Sequence, residues 1–168
     1  MSIKRLFFVT LMVTLLVAAC APAAAPAPAA SVEEAKPLKI AVIMPSAITD
    51  LAFSQSMYSA LKTIQEGMGG EAKMELKYTE NMFNVPDAAA AIRDYASQGF
   101  DIVIAHGSQY GASVQEIAPD FPKTTFAWGT DVNTFGLDNV YAYTAAAEEG
   151  GYVNGVMAAM LTKSKRIG

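Results

Sequence analysis

Apolar residues are distributed in three different ways along this chain of 168 residues. From Leu6 to Val17 they run almost unbroken, interrupted only by threonine. Residues 21–37 are mostly alanine and proline and lack any periodicity that a core would need. From Leu38 onward, short continuous apolar runs alternate with stretches of helical spacing.

That third region predicts a regular series of elements. Residues 38–44 are apolar except for Lys39 and stop at Pro45, as a buried parallel strand would. Asp50 is placed to cap a helix in which Phe53, Met57, Leu61, Ile64 and Met68 recur at helical spacing, closed by Gly67, Gly69 and Gly70. Residues 72–79 alternate as a second strand, with Met74, Leu76 and Tyr78 on one side. Pro86 and Asp87 open a second helix, with Ala88, Ile92, Tyr95 and Ala96 inward and Gly99 closing it. A third strand over 100–105 precedes a helix over 112–120 with Val114, Ile117 and Ala118 inward. Strands follow over 124–128 and 140–143, then a helix over 145–162 with Tyr152, Val153, Val156, Met157, Met160 and Leu161 on one stripe. Arg166-Ile167-Gly168 reads as the opening of a further strand. This alternation predicts an α/β fold: a doubly wound, flavodoxin-like parallel sheet with helices on both faces. Ligands of such sheets sit outside the carboxyl ends of the strands.

The leading run is shorter than the roughly 20 residues a membrane-spanning helix needs. Preceded by Lys4 and Arg5 and ended by Val17-Ala18-Ala19-Cys20, it reads as a signal peptide over residues 1–19. The small residues admit the backbone to a peptidase cleft, and Cys20 offers a thiol for acylation. The junction resembles the lipobox of bacterial lipoproteins, which anchors the protein to a membrane through a lipid on Cys20. Residues 20–37 then form an extended Ala/Pro-rich tether.

Charge narrows the partners. Acidic residues number 16 against 12 basic ones, two of which, Lys4 and Arg5, lie in the leader. That balance argues against nucleic acid, whose phosphates require clustered Lys and Arg. Cys20 is the only cysteine, so neither an intrachain disulfide nor a cysteine metal site is available. No cofactor or metal is implied: dinucleotide and P-loop glycine patterns are missing, as is metal-ligand spacing. Gly107-Ser108-Gln109-Tyr110-Gly111 falls short of a nucleophile elbow because His106, not glycine, precedes it.

Candidate chemistry gathers at the expected strand ends. Asp50, Phe53 and Ser54 follow the first strand, His106 and Ser108 the third, and Asp131 the fourth. Carboxylates, hydroxyls and an aromatic face suit a polyhydroxylated ligand bearing a flat ring. Simpler roles are open at each position: a cap for Asp50, core packing for Phe53 and Trp128, a solvated loop for His106, a turn for Asp131.

Several stretches, taken in order, resemble the basic membrane protein (BMP, PnrA-like) family. These are Lys39-Ile40-Ala41-Val42, Asp50-Leu51-Ala52-Phe53-Ser54-Gln55, Tyr95-Ala96-Ser97-Gln98-Gly99-Phe100-Asp101-Ile102-Val103-Ile104 and Glu148-Glu149-Gly150-Gly151-Tyr152-Val153-Asn154-Gly155-Val156. The resemblance implies a lipoprotein substrate-binding protein of an ABC importer, not an enzyme, with a type 1 periplasmic-binding-protein fold of two lobes. Residues 38–168 would be the N-terminal lobe, with the second lobe missing. It further implies a purine nucleoside as ligand, with Phe53 stacking on a ring, the Asp50 turn near the base and Asp131 on ribose hydroxyls. Ser54 stands where the family usually has Asn, and His106 where a small residue is common. The implied partners are an ABC permease and ATPase, and the expected state is a monomer. Other readings are a sugar- or autoinducer-binding protein on the same fold, a lipoprotein signalling to a membrane partner, and an extracytoplasmic enzyme using His106.

Overall fold

The computed structural model describes residues 36–166. The signal peptide, Cys20, most of the tether and the end of the last expected strand lie outside the described residues. Five strands, β1 (Leu38–Ile43), β2 (Met74–Thr79), β3 (Ile102–His106), β4 (Thr125–Gly129) and β5 (Val140–Tyr143), form one sheet in the order β2-β1-β3-β4-β5. Every pairing is parallel. Four helices accompany them: α1 (Phe53–Gly67), α2 (Val85–Ser97), α3 (Gly111–Ile117) and α4 (Ala147–Leu161). The sheet is the doubly wound one that the alternation predicts.

Each face of the sheet has its own core. Ala41, Ile43, Val103, Ala105, Phe126, Trp128 and Val140 share one face with α2 and α3, which contribute Ala88, Ile92, Ala96, Val114 and Ile117. Ile40, Val42, Met44, Met74 and Ile104 line the other and meet Leu61 of α1. Strands buried on both faces explain why β1 and β3 read as continuous apolar runs. The exception, Lys39, is tied at the strand's start: its amide donates to Asp101 Oδ2 at 2.8 Å, its ammonium donates to the Gln98 carbonyl at 3.1 Å and sits 4.6 Å over the Phe100 ring.

Local signals placed most boundaries within two residues. Asn84 Oδ1 accepts from the Asp87 amide at the head of α2, whose first turn contains a proline. Gly99 closes that helix at φ +72°, where a side chain would be strained. The helix expected over 112–120 is α through Ile117, then tightens to a 3-10 turn over Ala118–Asp120. The β4–β5 connection runs without a helix, and Phe135 and Leu137 pack from it onto the α2–α3 face.

Two expected packing stripes differ. In α1 the buried positions are Ser54, Leu61 and Gln65, while Ile64 and Met68 are half exposed. The face is rotated because the Gln65 amide donates to the Met74 carbonyl at 2.8 Å, satisfying a buried polar group that periodicity alone cannot foresee. In α4 no residue is buried; Tyr152, Val153, Val156, Met157, Met160 and Leu161 are all exposed. The stripe is apolar as expected, yet α4 leaves the sheet after β5 instead of folding back across it.

Trp128 is the only tryptophan and is 5% exposed. A Cβ on Gly111 would lie 2.3 Å from its ring, so α3 begins with glycine to let the indole pass. Gly111→Ala is therefore expected to destabilise the fold by about 1–3 kcal/mol through overpacking. Urea unfolding followed by tryptophan fluorescence measures this, with a red-shifted native emission if the indole is displaced.

Candidate functional site

The carboxyl edge of the sheet carries the loop after each strand, and the backbone there must find partners beyond the ladder. The loop after β1 does so around one carboxylate. Asp50 Oδ2 accepts from Ser46 Oγ at 2.5 Å and the Ser54 amide at 3.1 Å; Oδ1 accepts from the amides of Ala52 at 2.8 Å and Gln55 at 3.1 Å. Four donors saturate the acceptor positions of a carboxylate. Helix α1 starts at Phe53, so Asp50 reaches past the residue before the helix to take free first-turn amides. The Ser46 hydroxyl, then the three amides, hold its pKa well below the usual carboxylate range against an opposing effect of desolvation.

Ser54 completes that knot. It is fully buried, with Oγ 2.7 Å from Ser46 Oγ and accepting from the Ser46 amide at 3.2 Å. Neighbouring loops are laced to the same edge. Glu80 Oε2 accepts from the Ile48 amide at 2.6 Å, and the Asn81 amide donates to the Ser46 carbonyl at 3.3 Å. Tyr110 Oη donates to the Met82 carbonyl at 2.8 Å, and burial pushes this phenol up to about 12. Trp128 Nε1 donates to the Gly107 carbonyl at 3.2 Å.

Phe53 and His106 meet face to face. Their ring centroids are 3.8 Å apart at 13° between planes, with Phe53 39% exposed and His106 only 4%. His106 Nε2 lies 3.2 Å from the Phe53 carbonyl, which can only accept, so Nε2 carries the proton. Burial lowers the imidazole's pKa, more than the Phe53 carbonyl and Asp50 raise it. The ring is thus neutral near pH 7, and Nδ1 accepts from the hydroxyl of Tyr143 at 2.7 Å. Burial likewise raises the pKa of Tyr143, which keeps that hydroxyl a donor.

Asp131 stands beyond β4. Its Oδ1 accepts from the amides of Val132 at 2.7 Å and Asn133 at 2.9 Å, an Asx turn, while Oδ2 has no hydrogen-bond partner among the described residues. Its own amide donates to the Tyr143 carbonyl at 3.2 Å. Ser108 is exposed at the start of a 3-10 turn over Ser108–Tyr110. The fold therefore brings all six candidates to one edge and divides them by role. Asp50 and Ser54 are occupied internally; Phe53, Ser108 and Asp131 keep a free face or atom; His106 lies beneath Phe53. Among the described residues no grouping of three His, Cys, Asp or Glu side chains has metal-site geometry. His106 engages a phenol through one ring nitrogen and a backbone carbonyl through the other.

Tyr143 was not among the candidates. Sequence spacing places it at the end of a strand, but only the register shows that it reaches His106. Hollows of about 320 Å³ by Gly99, Phe121 and Thr124, and about 150 Å³ by Tyr58, Lys62 and Tyr78, lie away from this edge.

A parallel sheet wound on both faces, with an open aromatic ring and a half-free carboxylate at its carboxyl edge, has the architecture of one lobe of a periplasmic-type solute-binding protein. The chain belongs to the ABC transporter substrate-binding protein PnrA-like (Bmp) family, whose sequence profile matches residues 38–168. It is 31% identical over 135 residues to a purine-binding protein of Brucella abortus, covering 80% of this chain and 37% of that protein. It is 25% identical over 130 residues to the transcriptional activator protein Med of Bacillus subtilis, covering 77% of this chain and 39% of that protein. The chain thus spans under two fifths of the length of these relatives. Solved ABC transporter solute-binding proteins share its fold. The one from Conexibacter woesei superposes with a TM-score of 0.62 at 24% identity, over 73% of this chain and 40% of that one. The one from Aeropyrum pernix gives 0.60 at 17%, over 73% and 32%.

Asp50 supplies a test of the knot. A carboxylate with a lowered folded-state pKa stabilises fully above its unfolded value, and the effect fades as pH falls through the folded value. Asp50→Asn removes two of the four acceptor contacts. It should lower the thermal midpoint at pH 7, with the gap to wild type narrowing once the pH drops below the ordinary carboxylate range; scanning calorimetry across pH reads both.

Proposed function

We propose that this chain is the N-terminal lobe of an extracytoplasmic solute-binding protein that delivers a purine nucleoside, or a similar small polar ligand with a flat ring, to an ABC permease and ATPase. The observation that carries the reading is the open face of Phe53 at the carboxyl edge of a parallel sheet, with Asp131 Oδ2 free on the loop after β4 at the same edge. An aromatic face accepts a purine by stacking, and a carboxylate oxygen accepts from a sugar hydroxyl. The purine-binding relative at 31% identity supports the ligand class. The relatives' greater length supports a second lobe as the other wall of the cleft. The complete protein is a monomer in this reading, held to the membrane by a lipid on Cys20 with residues 21–37 as tether; residues 1–19 are removed.

Thermal-shift measurements on the protein with adenosine, guanosine, inosine, free bases, ribose and common sugars test the ligand. Nucleosides at 100 times their dissociation constant should stabilise by about 2.7 kcal/mol, with no shift from ribose alone. Sugars shifting the midpoint while nucleosides do not would reverse the assignment. Metabolic labelling with an alkynyl fatty acid should mark the wild type and leave Cys20→Ala unmarked; equal labelling of both would remove the anchor from the proposal.

A further inference from the structure

Register places His106 opposite Gly129 on β4, and Gly129 opposite Tyr143 on β5. Residues paired in a parallel sheet project to the same face, so the three form one row across the carboxyl edge. The middle member has no side chain. A Cβ on Gly129 would lie 2.2 Å from Tyr143 Cζ, so the phenol ring occupies the space a side chain there would fill. That lets Tyr143 reach over β4 to His106 Nδ1 at 2.7 Å, with the two ring planes within 9° of each other and their centroids 6.1 Å apart. The two rings are thus close to parallel and joined through the hydroxyl. Phe53 rests on the imidazole at 3.8 Å, and the imidazole's other nitrogen donates to the carbonyl of Phe53 itself.

We propose that His106 and Tyr143 are positioning residues that fix Phe53 as a one-sided stacking platform, without themselves touching the ligand. The imidazole fills the inner face of Phe53, leaving the outer face as the only one open to a ring. One nitrogen holds the phenylalanine's backbone, and the other is held by Tyr143, so neither the tautomer nor the ring orientation can change without breaking a hydrogen bond. Phe53 is the first residue of α1, where a side chain has few helix neighbours to hold its rotamer. The inner layer supplies what the helix end lacks. Gly129 serves the same device by clearing the path between the two rings. The proposal rests on the solute-binding reading for its ligand and on the row of residues for its geometry.

Two measurements separate those supports. The first needs no ligand. The chain has a single histidine, so its imidazole nitrogens give one uncrowded set of NMR signals, assigned by their loss in His106→Asn. The wild type at pH 7.5 should show the neutral Nε2–H tautomer, and Tyr143→Phe should shift Nδ1 toward a free acceptor while leaving the fold intact by circular dichroism. Averaged tautomers in the wild type would overturn the proposal. The second is inosine affinity by calorimetry on the full-length protein, second lobe included, for wild type, Tyr143→Phe, Phe53→Leu and the double variant. Tyr143→Phe should weaken binding roughly fivefold, as loss of one hydrogen bond would, and should add nothing in the Phe53→Leu background. A full additive loss in the double variant would mean that Tyr143 meets the ligand directly, and unchanged affinity in Tyr143→Phe would mean that the platform does not need it; either sinks the idea. If the wild type binds no nucleoside, the functional reading fails, and the imidazole spectrum alone decides between a fixed platform and none.

Discussion

The Asp50 carboxylate is the constraint on which the rest of the carboxyl edge depends. A strand that ends and a helix that begins ten residues later leave amides and carbonyls without ladder or helix partners. One side chain collects three of those amides and the Ser46 hydroxyl. Because its contacts come from both ends of the loop, it fixes the position of Phe53 relative to β1. Solvent competes at such a site, but four simultaneous donors leave the carboxylate little reason to exchange them for water. The turn is consequently rigid where a loop of this length would ordinarily be adaptable.

Rigidity continues sideways through the register of the parallel strands. His106, Gly129 and Tyr143 share a row because β3, β4 and β5 are in register, and a slip of one residue in any of these strands would turn its member of the row to the opposite face. Glycines do the complementary work. Gly111 admits the Trp128 indole at the head of α3 and Gly129 admits the Tyr143 ring on β4, so each large aromatic takes space that a side chain would block. The hydroxyl and indole N–H of such residues need partners when buried, and here they find them in the neighbouring loops: Tyr110 on Met82, Trp128 on Gly107, Tyr143 on His106. Packing on the inside of the sheet and order at its edge are therefore one arrangement.

The fold was legible in the sequence because it rests on periodicity, which is local. Continuous runs at β1 and β3 report burial on both faces, and Asn84, Pro86 and Gly99 punctuate α2 where backbone geometry requires them. The site was half legible. Topology alone puts Asp50, Phe53, His106 and Asp131 on one edge, since each ends or follows a strand. What each does there depends on contacts between residues far apart in the chain. Nothing near Ser54 signals that its hydroxyl is buried against Ser46, and nothing near Tyr143 signals a histidine 37 positions earlier. The same limit explains α1, whose inward face is set by Gln65 meeting the Met74 carbonyl, and α4, whose apolar stripe is real but covers nothing among the described residues.

On the proposed reading, an edge built this way would bind only weakly by itself. Stacking on one aromatic face is worth about 1–3 kcal/mol, whereas a micromolar dissociation constant corresponds to about 8 kcal/mol. One carboxylate oxygen on a ribose hydroxyl adds roughly another 1.5–3 kcal/mol, less where water competes. The shortfall is a matter of area: small-molecule sites bury some 70–90% of the ligand, and a single sheet edge presents one wall. What the edge does contribute is orientation. On the proposed reading, Phe53 would fix the plane of a ring, and the occupied inner face would exclude the alternative. A second wall closing over a ring already held in one plane loses less entropy than one that must both find and orient it. On the proposed reading, orientation of a flat ring would belong to this edge, and affinity to whatever completes the cleft.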